Sequence, residues 1–189
     1  HGGGTYVTDA LGAAFRDPLL DLLEKHPESQ RDLLEFRHTL EGACAYYAAR
    51  RATEPDRERL TAAFDRLVAV YAGEQRGGRA EEGDADAHFH LAIAEASHNA
   101  VLLHTIRSLF DLLKRNVVTN IGGMYPKSSE VRGMLMRQHT DLYRAIIEGR
   151  AEDARNCACD HLDYVQQVLA EAQLEETRVA RARRRQALA

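Results

Sequence analysis

Apolar residues recur along most of the chain at intervals of three and four, the spacing of one face of an α-helix. Only "GTYV", residues 4–7, directly after two glycines, has the character of a short β-strand. The pattern therefore predicts an all-α protein. Its predicted helices span residues 9–25, 30–52, 55–76, 80–97, 100–120, 128–148 and 151–180.

Polar and glycine-rich positions separate these segments. Thr53 precedes "EPDRERL" and Asn99 precedes "AVLLHTIRSLF", and both residue types are favoured at helix N-caps. The stretches "GGMYP" (122–126) and "EGR" (148–150) predict breaks between helices. Because short connections join antiparallel neighbours, we expect an antiparallel bundle of six to seven helices.

Composition narrows the class of protein and its compartment. The chain has 189 residues and a formal net charge of −4, which suits one core and argues against wrapping by nucleic acid or an anionic membrane. It contains no apolar run of about 18 residues and no signal segment at its start. Cys44, Cys157 and Cys159 form no C-x-x-C pair, so we expect reduced thiols and a cytoplasmic protein.

The last residues are basic. Five arginines lie within residues 178–185, in "RVARARRRQALA". A frayed, solvated helix end explains them, since cations are favourable near the carbonyl end of a helix. Contact with nucleic acid is the alternative explanation.

The stretch "DADAHFH", residues 84–90, places polar groups on a face that should be apolar. Asp86 and His90 lie one helical turn apart and share their face with Phe89 and Ile93, whereas His88 points to the opposite side. We therefore expect two coordinating side chains to point inward.

Two further histidines interrupt apolar stripes. His139 and His161 lie 10 and 12 residues on either side of Gly149, so in an antiparallel hairpin they reach the same height, about 15–18 Å from the turn. Together with Asp86 and His90 they form a set that suits Zn²⁺, Ni²⁺ or another divalent first-row ion. The alternative is that each is a hydrogen-bonded core residue. His26, His38, His88 and His98 are predicted at the surface, and His104 is undecided.

Arg37 lies in an apolar stripe of the second predicted helix, where a guanidinium needs an anion. Glu41, one turn later, is one candidate partner. The carboxylate of a small ligand, gripped in bidentate fashion, is the other. Asn120 extends a stripe of the fifth predicted helix and is a second candidate contact for such a ligand.

Three blocks of the sequence are similar to a known family. "LLEFRHTLEGACAYYAARRAT", "DADAHFHLAIAEASHN" and "QHTDLYRAIIEGRAEDARNCACDHL" resemble, in this order and spacing, the FCD effector-binding domain of the FadR subfamily of GntR-type transcription regulators. The resemblance covers about residues 30–170. "HGGGTYV" resembles the closing strand of the wing in the winged-helix DNA-binding domain that precedes FCD.

This resemblance implies a wing remnant at 1–8, an FCD effector-binding and dimerisation domain at 9–175 and a basic tail at 176–189. It implies a divalent metal at Asp86, His90, His139 and His161, with Zn²⁺ as first choice and Ni²⁺ or Mn²⁺ as alternatives. The chain is most similar to lactate-responsive and next to pyruvate-responsive members, so a 2-hydroxy carboxylate such as lactate is the expected effector. The expected partners are a second copy in a homodimer and operator DNA, read through an N-terminal domain outside this chain.

Two other classes of protein, metal-dependent enzymes and helical modules with a structural metal, are alternatives to a regulator. An open metal site can activate water, so a metal-dependent hydrolase is an alternative. A four-helix di-metal oxidase needs two Glu-x-x-His pairs that share one site, but His98 of the Glu95 to His98 pair points away from the Asp86 face. A structural metal in a helical interaction module is the other alternative. We expect a regulator and not an enzyme.

Overall fold

Helices make up the described part of the chain. The computed structural model describes residues 26, 29–73, 78–108, 114 and 128–186. Within these residues every element is helical, and the predicted all-α class is confirmed. The helices are α1 (Gln30–Arg51), α2 (Glu54–Tyr71), α3 (Gly78–Ala96), α4 (Ala100–Ser108), α5 (Ser128–Ile147) and α6 (Ala151–Gln186). The predicted wing remnant and the predicted helix over 9–25 lie outside the described residues.

Both predicted N-caps are confirmed. At the start of α2, Asp56 accepts hydrogen bonds from the backbone N–H of Thr53 at 2.9 Å and from its hydroxyl at 2.6 Å. At the start of α4, Oδ1 of Asn99 accepts from the N–H groups of Val101 and Leu102, both at 3.1 Å. These contacts satisfy N–H groups that the first turn of a helix leaves without partners.

A tight turn joins α5 to α6, as "EGR" predicts. Gly149 has φ +72°, a left-handed conformation that other residues adopt only with strain. The N–H of Gly149 donates to the carbonyl of Ile146 and that of Arg150 to the carbonyl of Ala145, at 3.1 and 2.8 Å. The two helices therefore run antiparallel from this point.

The core lies where α1 packs on α6 and α2 packs on α3. Its largest buried apolar side chains are Leu60, Leu67, Phe89, Leu142 and Ile146. A smaller apolar cluster joins α1, α5 and α6 through Leu34, Val131, Leu135, Leu162, Val165 and Val168. Each fully buried side chain of this size contributes about 1.5–3 kcal/mol.

Two predicted boundaries were wrong. α2 ends at Tyr71 and turns at Gly73, with φ +77°, so the apolar spacing near 72–73 does not continue the helix. α6, predicted to end at 180, continues to Gln186, so the arginines lie on an exposed helical end. None of the described helices is both long and apolar enough to cross a membrane.

Candidate metal centre

Three helices bring four polar side chains together inside the bundle. α3 supplies Asp86 and His90, α5 supplies His139 and α6 supplies His161. Their exposures are 4, 8, 0 and 3%. One ligand atom from each lies within 4.8 Å of the other three. The sequence therefore identified four residues that the fold places in one cluster.

The contacts within the cluster are short. Nε2 of His139 lies 3.1 Å from Oδ1 of Asp86, and Nε2 of His90 lies 3.7 Å from Oδ2 of the same carboxylate. The ring centroids of His139 and His161 are 4.4 Å apart, so the predicted meeting of these two histidines is confirmed. The His90 ring is 5.5 Å from each of the other two.

The electrostatics favour a charged carboxylate among the imidazoles. Burial raises the pKa of Asp86, but contact with His139 and the charges of His90 and His161 outweigh it and hold the pKa well below its usual range. For His161, burial and then the neighbouring His139 and His90 lower the pKa well below 6.5. Neutral His161 can offer a nitrogen lone pair to a metal at neutral pH.

Buried imidazole nitrogens without well-aligned hydrogen bonds indicate that a metal suits the cluster. Nε2 of His90 and both ring nitrogens of His139 are buried and make no well-aligned hydrogen bond to any described residue, although Nε2 of His139 lies 3.1 Å from Asp86. Buried polar side-chain atoms usually have such a partner. Three imidazoles and one carboxylate are also a donor set that divalent first-row ions accept. The residues present therefore fit a metal better than they fit ordinary core hydrogen bonding.

Glu41 of α1 connects the cluster to Arg37. Nε of Arg37 donates to Oε1 of Glu41 at 2.7 Å, so the first of the two candidate partners of Arg37 contacts it in the structure. Oε2 of Glu41 lies 2.7 Å from Nδ1 of His90. Burial raises the pKa of Glu41, but Arg37 and His90 outweigh it and keep the pKa well below its usual range. For His90, burial lowers the pKa, but Glu41 and Asp86 outweigh it and raise the pKa above 6.5.

Gln138 contacts the cluster from α5. Its Oε1 lies 3.3 Å from Nδ1 of His161 and can accept a hydrogen bond from that nitrogen. The sequence pattern predicts no role for this residue. Its position directly before His139 carries no periodic signal, because neighbouring residues in a helix point in different directions.

A small cavity opens beside the cluster. Arg37, Glu41 and His90 line one part of it, and apolar side chains such as Leu91, Ile106 and Leu142 line the rest. Its volume is about 10 Å³, which is space for the centre of one water molecule. Asn120, the other predicted ligand contact, lies outside the described residues.

The five other described histidines lie away from the cluster, as predicted for four of them, whereas His104 was undecided. His26, His98 and His104 are exposed, and His38 and His88 are partly exposed. The Glu95 to His98 pair does not form part of a di-metal site. Instead, Glu95 pairs with Arg107 at 2.8 Å, and His98 lies 2.6 Å from Asp56.

Known proteins resemble this chain in both sequence and fold. The family model of the FCD domain matches residues 32–164. The "Putative L-lactate dehydrogenase operon regulatory protein" of Escherichia coli is 35% identical over 188 residues, with 95% of this chain and 68% of that protein covered. The Glc operon transcriptional activator of Escherichia coli is 32% identical, covering 84% of this chain and 62% of the relative. The HTH-type transcriptional regulator LutR of Bacillus subtilis is 31% identical, with 89% of this chain and 74% of that protein covered.

Solved structures share the fold. A GntR protein of Streptococcus agalactiae superposes with a TM-score of 0.65 at 22% identity, covering 88% of this chain and 71% of that one. A GntR family regulator of Pseudomonas syringae superposes with a TM-score of 0.61 at 19% identity, covering 86% of this chain and 73% of that one. The FCD family model matches residues 32–164, and the Escherichia coli regulators of the lactate dehydrogenase and Glc operons are 35 and 32% identical to the chain. The chain therefore belongs to the FCD-domain family of GntR-type transcriptional regulators.

Proposed function

We propose that this chain is the effector-sensing part of its regulator and binds a small 2-hydroxy carboxylate at a divalent metal. Asp86, His90, His139 and His161 hold the metal, with Zn²⁺ as the first choice and Ni²⁺ or Mn²⁺ as alternatives. The effector is lactate in the first place and pyruvate in the second. Its binding changes how a homodimer of the regulator sits on operator DNA.

One observation carries the metal: four buried ligand atoms converge from three helices while buried imidazole nitrogens lack hydrogen-bond partners among the described residues. The bound ion supplies a Lewis acid that accepts oxygen donors of the effector. The four residues would hold the ion, and their burial would keep bulk water away from it.

Charge favours an anionic effector. Metal-bound histidines are neutral, and Arg37 already balances Glu41. A divalent ion with the single carboxylate of Asp86 therefore leaves one positive charge in a buried site, and such a charge is costly without a counterion. One carboxylate neutralises it. A 2-hydroxy acid can offer its hydroxyl as a second oxygen donor.

The cavity favours a small effector with an apolar end. It joins the charged groups of Arg37, Glu41 and His90 to apolar side chains of α3, α4 and α5. Because its volume is about 10 Å³, binding must widen it through side-chain movement. Arg37, and Asn120 outside the described residues, are the proposed contacts to the carboxylate. The name of the 35% identical relative refers to an L-lactate dehydrogenase operon, which supports lactate over other acids.

Native mass spectrometry and calorimetry of the metal-loaded chain test this proposal. The ligands are lactate, pyruvate, glycolate and citrate at equal concentration. We expect one metal per chain and the tightest binding for lactate. Tighter binding of pyruvate would move the effector assignment to a 2-oxo acid, and a chain that takes up no metal would reject the site. Sedimentation of the full-length regulator tests the homodimer, and a monomer would contradict it.

A further inference from the structure

A buried charged residue of another helix contacts one of the four proposed metal ligands. Glu41 lies on α1, 5% exposed, and none of the four proposed ligands belongs to α1. Its Oε2 is 2.7 Å from Nδ1 of His90, within hydrogen-bond distance. Its Oε1 is held by Arg37 at the same distance.

This arrangement decides which nitrogen of His90 faces the metal. The two ring nitrogens lie on different edges of the imidazole, so Glu41 at Nδ1 leaves Nε2 to face Asp86. A neutral His90 that carries its proton on Nδ1 can donate to Glu41 and present the lone pair of Nε2 to the ion. A carboxylate in this position also makes the imidazole a stronger ligand.

We propose that Glu41, anchored by Arg37, is a positioning residue for the metal centre, which fixes the ring orientation and tautomer of His90. The inference rests on the proposed function, since it requires a metal at these residues. It assigns Arg37 a second task besides contact with an effector, because the guanidinium keeps the Glu41 carboxylate in place. His161 has a weaker counterpart, the neutral amide of Gln138 at 3.3 Å.

Metal affinity of the 189-residue chain tests the proposal, measured by competition with a chelator of known zinc affinity. Glu41→Gln keeps the size of the side chain and removes its charge, and we expect zinc to bind about 10–100-fold more weakly. Asp56→Asn is the matched control. It removes a buried carboxylate that lies 2.6 Å from a different histidine, His98, and should leave zinc affinity unchanged.

A double variant separates positioning from simple charge balance. Glu41→Gln alone removes the carboxylate that the buried Arg37 guanidinium contacts at 2.7 Å, which can destabilise the chain. Arg37→Gln combined with Glu41→Gln removes both charges. If Glu41 only neutralises Arg37, the double variant binds zinc like the wild type, which would overturn the proposal. If Glu41 positions His90, zinc binding stays weak.

A spectroscopic measurement reports the tautomer directly. Long-range ¹H–¹⁵N spectra of the zinc-loaded wild type should show the His90 proton on Nδ1, shifted downfield by the carboxylate, and the double variant should lose that shift. A wild type that binds zinc with no such signal would reject the positioning role and leave the metal site intact. A wild type that binds no zinc would reject the proposed function and the positioning role together.

Discussion

The imidazole rings of His139 and His161 lie with their centroids 4.4 Å apart, each from a different helix of the α5–α6 hairpin. Two cationic rings at this distance would repel each other, and both are buried. A shared metal ion, as we propose, would turn the same proximity into a favourable contact, because two neutral imidazoles can both donate to it.

Replacing either ring should remove the metal. In His139→Ala or His161→Ala we expect loss of stoichiometric zinc and of the increase in Tm that zinc gives the wild type. With free zinc at 100 times its Kd that increase corresponds to about 2.7 kcal/mol, or roughly 5–10 °C for a chain of this size. Differential scanning calorimetry with and without zinc measures it. His88→Ala, at a partly exposed position on α3, should keep stoichiometric zinc and the increase in Tm that zinc gives. Full zinc content in His139→Ala and His161→Ala would reject the four-ligand site.

Arg37→Lys should weaken lactate binding and leave zinc bound. Lysine keeps the charge but lacks the planar fork that binds a carboxylate in bidentate fashion, so we expect a loss of about 1.5–3 kcal/mol, roughly ten- to a hundredfold in affinity. Calorimetry with the zinc-loaded protein measures this. Arg132→Lys is a control, because Arg132 also pairs with a buried glutamate, Glu82, at 2.6 Å. Equal lactate affinity in wild type and Arg37→Lys would mean that Arg37 serves Glu41 alone.

Asp56→Asn should destabilise the fold in a pH-dependent way. Burial raises the pKa of Asp56, but hydrogen bonds from Thr53 and His98 outweigh it and hold the pKa below its usual 3.8. Because the folded pKa is the lower one, the carboxylate stabilises the fold fully above about pH 4, and this contribution is lost as the pH falls through the folded pKa. We expect a loss of about 0.5–2 kcal/mol at pH 7, as for other N-cap contacts.

Urea denaturation at pH 7 and pH 3 measures the difference between wild type and Asp56→Asn. The difference should shrink at the lower pH. Glu54→Gln removes a charge from the same helical turn at an exposed position, and should change the free energy of unfolding by less than Asp56→Asn at pH 7. A pH-independent difference for Asp56→Asn would contradict the role of its charge.

Leu60→Ala should destabilise the core without affecting metal. Leu60 is 0% exposed at the α2–α3 contact, and truncation of such a leucine costs about 2–5 kcal/mol. Val68→Ala on the same helix, at a position 39% exposed, should cost clearly less. Urea denaturation compares the two variants, and zinc stoichiometry should remain that of the wild type in both.

Periodicity predicted the parts of the site that depend on one helix or one turn. His139 and His161 were found because their distances from Gly149 set equal heights in a hairpin, and Asp86 and His90 because they share one helical face. Contacts between helices distant in the sequence were beyond that reasoning. Glu41 was considered only as a candidate partner of Arg37 on its own helix, yet it also reaches His90 on α3. The depth at which α1 packs decides this contact, and no spacing within α1 encodes that depth.

The length of α6 has a consequence for hydrogen exchange. Its 36 residues span about 54 Å, and the described side chains from Gln173 to Gln186 are exposed. An isolated helix of about 14 residues is only marginally stable in water. Amide protons in this part of α6 therefore exchange through local helix–coil opening, at rates that depend little on whether the bundle is folded tightly. Those between Ala154 and Val168, packed in the core, require opening of the bundle, so one continuous helix divides into a fast-exchanging and a slow-exchanging half.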